Sequence, residues 1–267
     1  MSIVDLAING ASGRMGRALT TLVRGDRRFA LKRVVTGADS ELIGQPLYVP
    51  ATPDTLRYAT SWEGSEALDV IVDFSSPEGL AVALEHCVAH GIALVVGTTG
   101  MDADLEAKLQ SAADDIAILR AANFSLGVAV LTRLLREAAA ALPAWDLEII
   151  EAHHGRKQDA PSGTALALGQ AAAAARGSDL DAVAEYGRHG HTGERSEGSI
   201  GFSVVRGGDI VGEHTALIAS HGERLELTHR ATDRDIFARG ALTAAAWLAR
   251  QKPGTYTIDQ VLDDRSS

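Results

Sequence analysis

Ile3 to Ile8 is a short apolar run, glycines follow at 10, 13 and 16, and Met15, Ala18, Leu19, Leu22 and Val23 then recur at helical spacing. Such a run, closed by glycines and succeeded by a 3.6-residue period, reads as a strand, a tight turn and a helix. The pattern repeats. Leu31 to Val35 and Asp69 to Phe74 ("DVIVDF") are further strand-like runs, apolar enough for parallel strands covered on both faces. Ser76 and Pro77 open a helix as cap and first-turn residue, and Gly91 closes it after His90. Ile92 to Val96, an amphipathic segment from Asp102 to Ala113 and Ile116 to Leu119 extend the series. Repeated β-then-α units predict an α/β chain whose N-terminal part is a Rossmann-like, doubly wound, mostly parallel sheet.

Beyond about residue 125 the pattern changes. A helix is expected from Gly127 to Leu142, a strand from Trp145 to Ala152 and an Ala-rich helix from Ser162 to Ala175. Residues 176–198 are rich in Gly, Arg, His and Glu and read as a long loop, either functional or a solvated connector. Three strand-like runs follow, "SIGFSVVR", "DIVGEHTALIAS" and "ERLELTHRA", and they are expected to pair as antiparallel hairpins. A last helix is expected from Arg234 to Arg250, with a tail that returns to the first domain.

The chain has 267 residues, 46% of them hydrophobic, enough for one large domain or two smaller ones. A formal net charge of -10 argues against general affinity for nucleic acid or an anionic membrane, so any anion site is local. The first residues, "MSIVDLAING", lack the basic start and apolar segment of a secretory signal, and no run reaches the roughly 18 apolar residues of a membrane span. A cytoplasmic location is expected. The single cysteine, Cys87, lies in a helical pattern and reads as core filler.

The turn "NGASGRMGR" stands between strand and helix, where backbone N–H groups and the positive end of a helix dipole receive a pyrophosphate. Its spacing is GxxGxxG and not GxGxxG, so the flanking strand and helix carry the dinucleotide reading. The ribose-binding acid usual about twenty residues further on is missing: Thr36 occupies that place, with Asp39 and Glu41 beyond it. With Arg14 and Arg17 near the turn, NADPH is expected to be acceptable, while Thr36 or Asp39 offers a hydrogen bond to a ribose. Gly97, Thr98 and Thr99, and likewise Ala121 to Phe124, stand at carboxyl ends of strands, where an open α/β sheet binds the nicotinamide end.

The segment "IIEAHHGRKQDAPSGTA", Ile149 to Ala165, gathers His153, His154, Arg156 and Lys157 before a helix start. Adjacent histidines on a continuing strand point to opposite faces and chelate one metal poorly, and no HExxH or cysteine cluster supports a metal elsewhere. One histidine titrating near neutrality serves instead as a proton donor, with the other histidine and Lys157 binding carboxylates. Ser162 is suited to cap the following helix, and the Ser162, Gly163 and Thr164 amides form an anion site. Arg156 faces solvent, substrate or another subunit. A non-catalytic nucleotide sensor and a metal hydrolase are the competing classes.

The stretches "GASGRMGR", "DVIVDFSSPEG", "VVGTTG", "AANFSLGV", "EAHHGRKQDAPSGTA", "GHTGERSEGSIGF", "RGGDIVGEHTAL" and "GERLELTHRATDR" run through nearly the whole chain. In that order they resemble the dihydrodipicolinate reductase family. The resemblance implies NAD(P)H-dependent reduction of 4-hydroxy-tetrahydrodipicolinate to tetrahydrodipicolinate with loss of water, in diaminopimelate and lysine biosynthesis. It implies His153 as acid/base residue, Lys157 as a proton donor that also meets a carboxylate, and His154 as a substrate contact. Gly163 and Thr164, beside the Ser162 cap, would bind a substrate carboxylate. Gly10, Ala11, Ser12, Gly13, Arg14, Met15, Gly97, Thr98, Thr99, Ala121, Ala122, Asn123 and Phe124 would hold NADPH or NADH, with Thr36 at the ribose. The implied organisation is a dinucleotide-binding domain over residues 1–125, completed by 234–267. Residues 126–233 would form a smaller α+β domain with a mixed sheet, which binds a small dicarboxylate and builds a homotetramer. The implied enzyme needs no metal, nucleic acid or membrane, and two domains close over its substrate.

Overall fold

The computed structural model describes residues 2–264, which divide into two compact units: 2–126 with 235–264, and Gly127–Arg234. Residues 1 and 265–267, assigned above to the first domain, lie outside the described residues. In chain order the first elements are β1 (Val4–Asn9), α1 (Arg14–Val23), β2 (Phe29–Val35), β3 (Val70–Asp73), α2 (Pro77–His90), β4 (Ala93–Val96), α3 (Ala103–Ala112) and β5 (Ala117–Arg120). Next come α4 (Leu126–Ala141), β6 (Asp146–His153), α5 (Gly163–Ala175), α6 (Leu180–Val183), β7 (Ala184–Glu185), β8 (Ile200–Arg206), β9 (Gly212–Ser220) and β10 (Glu223–Ala231). The chain closes with α7 (Asp235–Leu248), β11 (Gly254–Tyr256) and α8 (Ile258–Asp264).

The first unit is a six-stranded parallel sheet in the order β11-β5-β4-β3-β1-β2. All four residues of β3 and all four of β4 are buried, because helices cover both faces of the sheet. On one face Leu6, Ile8, Val72 and Val95 pack with α1 and α7 residues such as Leu19, Ala241 and Ala245. On the other, Ile71, Leu94 and Ile118 pack with Leu80, Leu84 and Cys87 of α2 and Leu105 and Leu109 of α3. Ser76 caps α2 by accepting from the Gly79 amide, with Pro77 first in the helix, and Asp102 caps α3 in the same way. Cys87 is fully buried and burial pushes its thiol pKa upward, as core filler requires. The expected return of the tail takes the form of β11, which adds to the sheet edge beside β5.

The chain leaves β1 for β2 and then crosses back to β3 on the other side of β1. That reversal opens a crevice at the carboxyl ends of β1 and β3, where sheets of this kind bind ligands.

The second unit is a mixed sheet in the order β10-β9-β6-β8-β7. Leu147 and Ile149 of β6, Ala216 and Ile218 of β9, and Ile200 and Phe202 of β8 pack under Leu131 and Leu135 of α4 and Leu168 and Ala172 of α5. Two expectations are corrected here. The runs at Ser199 and Asp209 do not form a hairpin: β6 lies between β8 and β9, parallel to the first and antiparallel to the second, and only β9 and β10 pair directly. Alternation specifies which face a strand buries, not which strand lies beside it. Residues 176–198 are also more than a loop, since α6 buries Leu180 in the core and β7 adds a parallel edge to β8. Among the described residues no helix is long and apolar enough to cross a membrane.

Leu135 is wholly buried between α4 and this sheet. Leu135→Ala is expected to destabilise the protein by about 2–5 kcal/mol, measured by urea unfolding with circular dichroism. A loss under about 1 kcal/mol would mean that α4 contributes little to the core.

Candidate active site

In the first unit β1 ends at Asn9 and the chain turns at Gly10, whose φ of +76° lies in the left-handed region. A Cβ at Gly10 would stand 2.2 Å from the Phe74 carbonyl oxygen at the end of β3, so the turn is drawn tight against the neighbouring strand. Gly13 caps α1 without a side-chain acceptor, which leaves the first-turn amides near Arg14 and Met15 suited to an anion. At β4, a Cβ on Gly97 would meet the Phe74 ring at 2.1 Å, and that ring stands edge-on to Phe124 with centroids 5.4 Å apart. Thus Gly10, Gly97 and Phe124, from three separate strand ends, all gather around Phe74. The bare backbone at Gly10 and Gly97 fits the close approach that a dinucleotide requires.

A cleft of about 650 Å³ runs along this turn, lined by Gly10, Ser12, Gly13, Thr36, Asp39 and Ser75 among others. The hydroxyls of Ser12 and Thr36 are hydrogen-bonded to each other, and the Thr36 amide donates to the Ala59 carbonyl at 2.9 Å. Asp39 brings a carboxylate to the cleft, whereas Arg17 directs Nε to the Ser12 carbonyl at 2.9 Å and Arg14 is exposed. Thr99 and Ala122 are exposed, Ala121 and Asn123 are half-buried, and Ala11 is fully buried in the core.

Sequence reading missed Asn9 and Asp73. Asp73 is completely buried, with Asn9 Nδ2 donating to Oδ1 at 2.7 Å, Ser75 Oγ donating to the same oxygen at 2.6 Å, and the Thr98 hydroxyl donating to Oδ2. Burial pushes the Asp73 pKa up against the downward pull of these donors. The Thr98 hydroxyl also accepts from the Ser75 amide at 2.9 Å, so this side chain fixes the strand ends beside the cleft. The available signal was an acid at the end of an otherwise apolar, doubly covered strand.

In the second unit the inward face of β6 runs Leu147, Ile149, Glu151, His153, and the paired face of β9 runs Ile218, Ala216, His214. The apolar core therefore gives way to a polar cluster at one end of the same strands. His153 closes β6, and its Nδ1 lies 2.6 Å from Glu151 Oε2. Arg206 at the end of β8 donates from Nη1 to Glu151 Oε2 at 2.7 Å and from Nη2 to Oε1 at 2.8 Å. The Ser162 amide donates to Oε1 at 2.9 Å, while Ser162 Oγ caps α5 by accepting from the Ala165 amide and lies 3.0 Å from His214 Nε2.

His214 stands edge-on to His153 with ring centroids 5.2 Å apart, and burial, aided by the charge of His153, pushes its pKa down to about 4. His154 follows the strand. Desolvation first, then Arg234, Arg156, His153 and Lys157, lower its pKa, and its buried Nδ1 makes no hydrogen bond among the described residues. Lys157 pairs with Asp159 at 2.8 Å, and Gly163 and Thr164 form the first turn of α5, Gly163 exposed and Thr164 half-buried. Arg156 is exposed. Arg234, Arg156 and Lys157 thus put positive charge around His154, whereas Arg206 is taken up by Glu151 and the Asp159 carbonyl.

Glu151, Arg206, His214 and Arg234 were not singled out as members of this site from sequence, although Glu151 falls in step with Leu147 and Ile149. Among the described residues no group of three or more His, Cys, Asp or Glu could hold a metal ion.

The family model described as dihydrodipicolinate reductase, N-terminus, matches residues 4–124, and that described as its C-terminus matches 127–262. The 4-hydroxy-tetrahydrodipicolinate reductase of Nitrosomonas eutropha is 47% identical, covering 98% of this chain and 99% of its own. That of Thiobacillus denitrificans is also 47% identical, covering 97% and 98%. A dipicolinate-bound dihydrodipicolinate reductase from Paenisporosarcina sp. TG-14 shares the fold, with a TM-score of 0.79 at 24% identity over 96% of this chain and 98% of its own. With matches running from residue 4 to 262 in both halves, the chain belongs to the dihydrodipicolinate reductase family.

Proposed function

We propose that this protein reduces 4-hydroxy-tetrahydrodipicolinate to tetrahydrodipicolinate, with loss of water, as a step of diaminopimelate and lysine biosynthesis. The observation that carries the reading is the cluster at the end of β6: His153 bound to a buried carboxylate, beside the capped start of α5, in a chain of this family. His153 is the acid/base residue, since it is the β6 histidine paired with Glu151, whereas burial keeps His214 neutral at physiological pH. Lys157 donates a proton and meets one substrate carboxylate, and His154 contacts the substrate. The second carboxylate sits on the α5 start, at Ser162, Gly163 and Thr164, where helix amides and dipole favour negative charge.

The bare turn at Gly10 and the close approach at Gly97 suit a nicotinamide dinucleotide. Gly10, Ala11, Ser12, Gly13, Arg14 and Met15 would hold the pyrophosphate. Thr36 would stand at the ribose, and Gly97, Thr98, Thr99, Ala121, Ala122, Asn123 and Phe124 would stand at the nicotinamide. When bound, the reduced nicotinamide supplies the hydride. With Asp39 in the cleft and Arg14 exposed at the helix start, both NADH and NADPH are admitted. A cytoplasmic homotetramer is the assembled form we propose, built on the outer face of the second sheet, where Ile150 and Val205 are exposed and Leu217 is half-buried.

The ultraviolet absorbance of NADH or NADPH is expected to fall when enzymatically generated substrate is added. His153→Ala should lower kcat by about 10²- to 10⁴-fold, the range of a positioned general acid. An unchanged kcat removes His153 from the mechanism. Sedimentation equilibrium should give four chains per particle, and a monomer would refute the assembly.

Because folding lowers the His214 pKa from 6.5 to about 4, the unfolded chain binds the extra proton between those values. Stability is therefore complete above pH 6.5 and declines as pH falls toward 4, by up to about 3 kcal/mol. Thermal unfolding of His214→Gln is expected to lose part of that slope, and an identical slope would exclude His214 as its source.

A further inference from the structure

The Glu151 side chain is wholly inaccessible to solvent, yet four donors converge on its two oxygens. Oε2 receives Arg206 Nη1 and His153 Nδ1; Oε1 receives Arg206 Nη2 and the Ser162 amide. An ionised carboxylate offers about four lone-pair sites and no proton, so each site has a donor. Burial pushes the Glu151 pKa up, but Arg206, His153 and the Ser162 amide outweigh it and hold the carboxyl below its usual range. The charged and titratable groups around it are His153 on its own strand, Arg206 on β8 and His214 on β9, with Asp159 acting in turn on Arg206 and Lys157 on His214. Arg206 is itself held, donating from Nη2 to the Asp159 carbonyl at 2.7 Å.

We propose that Glu151, clamped by Arg206, is a positioning residue that fixes His153 in the Nδ1–H tautomer and ties it to the start of the carboxylate-binding helix α5. An acceptor-only carboxylate requires the hydrogen on Nδ1, so the proton that His153 gives or takes is the one at Nε2. The same carboxylate holds the Ser162 amide, which places the acid/base ring and the anion-binding helix turn on one buried anchor. Coupling of this kind sets tautomer and ring orientation together. The inference rests on the reading of His153 as acid/base residue and of the α5 start as a carboxylate site.

The test is nitrogen-15 NMR of the histidine-labelled protein together with steady-state kinetics, on the wild type, Glu151→Gln and the paired variant Glu151→Gln with Arg206→Gln. The paired variant removes both charges, so no unpartnered charge is left buried to unfold the chain. In the wild type at a pH where the ring is neutral, His153 should show a protonated Nδ1 and an unprotonated Nε2. Both variants should lose that tautomer, with kcat about 10- to 100-fold lower and the KM for the nicotinamide unchanged. In a His153→Ala background, Glu151→Gln should lower kcat little further. Retention of the Nδ1–H tautomer in the paired variant overturns the proposal, as does a full additional loss in the His153→Ala background. Should His153→Ala itself keep wild-type kcat, the acid/base reading fails, and the tautomer spectra alone then decide whether Glu151 positions the ring.

Discussion

A carboxylate taken out of water has to be met by donors, and each unit of this protein is organised around one such group. Glu151 draws together the ends of β6 and β8 and the cap of α5; Asp73 draws together the ends of β1, β3 and β4 through Asn9 and Thr98. In both places an inward-facing strand position that would otherwise be apolar carries an acid. The desolvation cost of each acid is offset only while its donors remain in place. Removing one partner of such a buried charge typically costs about 3–5 kcal/mol, so the geometry around it is strongly specified.

That constraint links packing to chemistry. The β6 face packs Leu147 and Ile149 under α4 and α5, and one step further along the same face the polar cluster begins. Core packing therefore sets the depth and direction at which Glu151 and His153 emerge. His214 illustrates the same gradient: it continues the apolar row of β9 and is buried enough to stay neutral, while His153 on the neighbouring strand has an anionic partner. Two histidines of like chemistry, side by side, are thus given different partners, the Ser162 hydroxyl for His214 and the Glu151 carboxylate for His153.

Much of the architecture was legible in the sequence because it is written in local spacing. The βα alternation, the caps Ser76 and Ser162, and the tight turn at Gly10 depend on neighbours within a few residues. The hairpin expected at Gly207-Gly208 failed for a definite reason. Period-2 alternation in β8 and β9 records a buried face, but β6 enters between them from earlier in the chain. Residues 176–198 misled because a four-residue helix and a two-residue strand are too short to show a period.

By itself, the sequence determined the fold class, the glycine turn and the gathering of His153, His154, Lys157 and Ser162 within one segment, since each is a pattern of adjacent residues. Tertiary structure alone decided which groups complete those patterns. Arg206 and His214 lie 55 and 52 residues from their partners Glu151 and Ser162, and Asn9 lies 64 residues from Asp73. The hydrophobic period tells a strand which side to bury, whereas the partners of a buried charge are chosen by the order in which strands assemble, and that order is not carried by any local spacing.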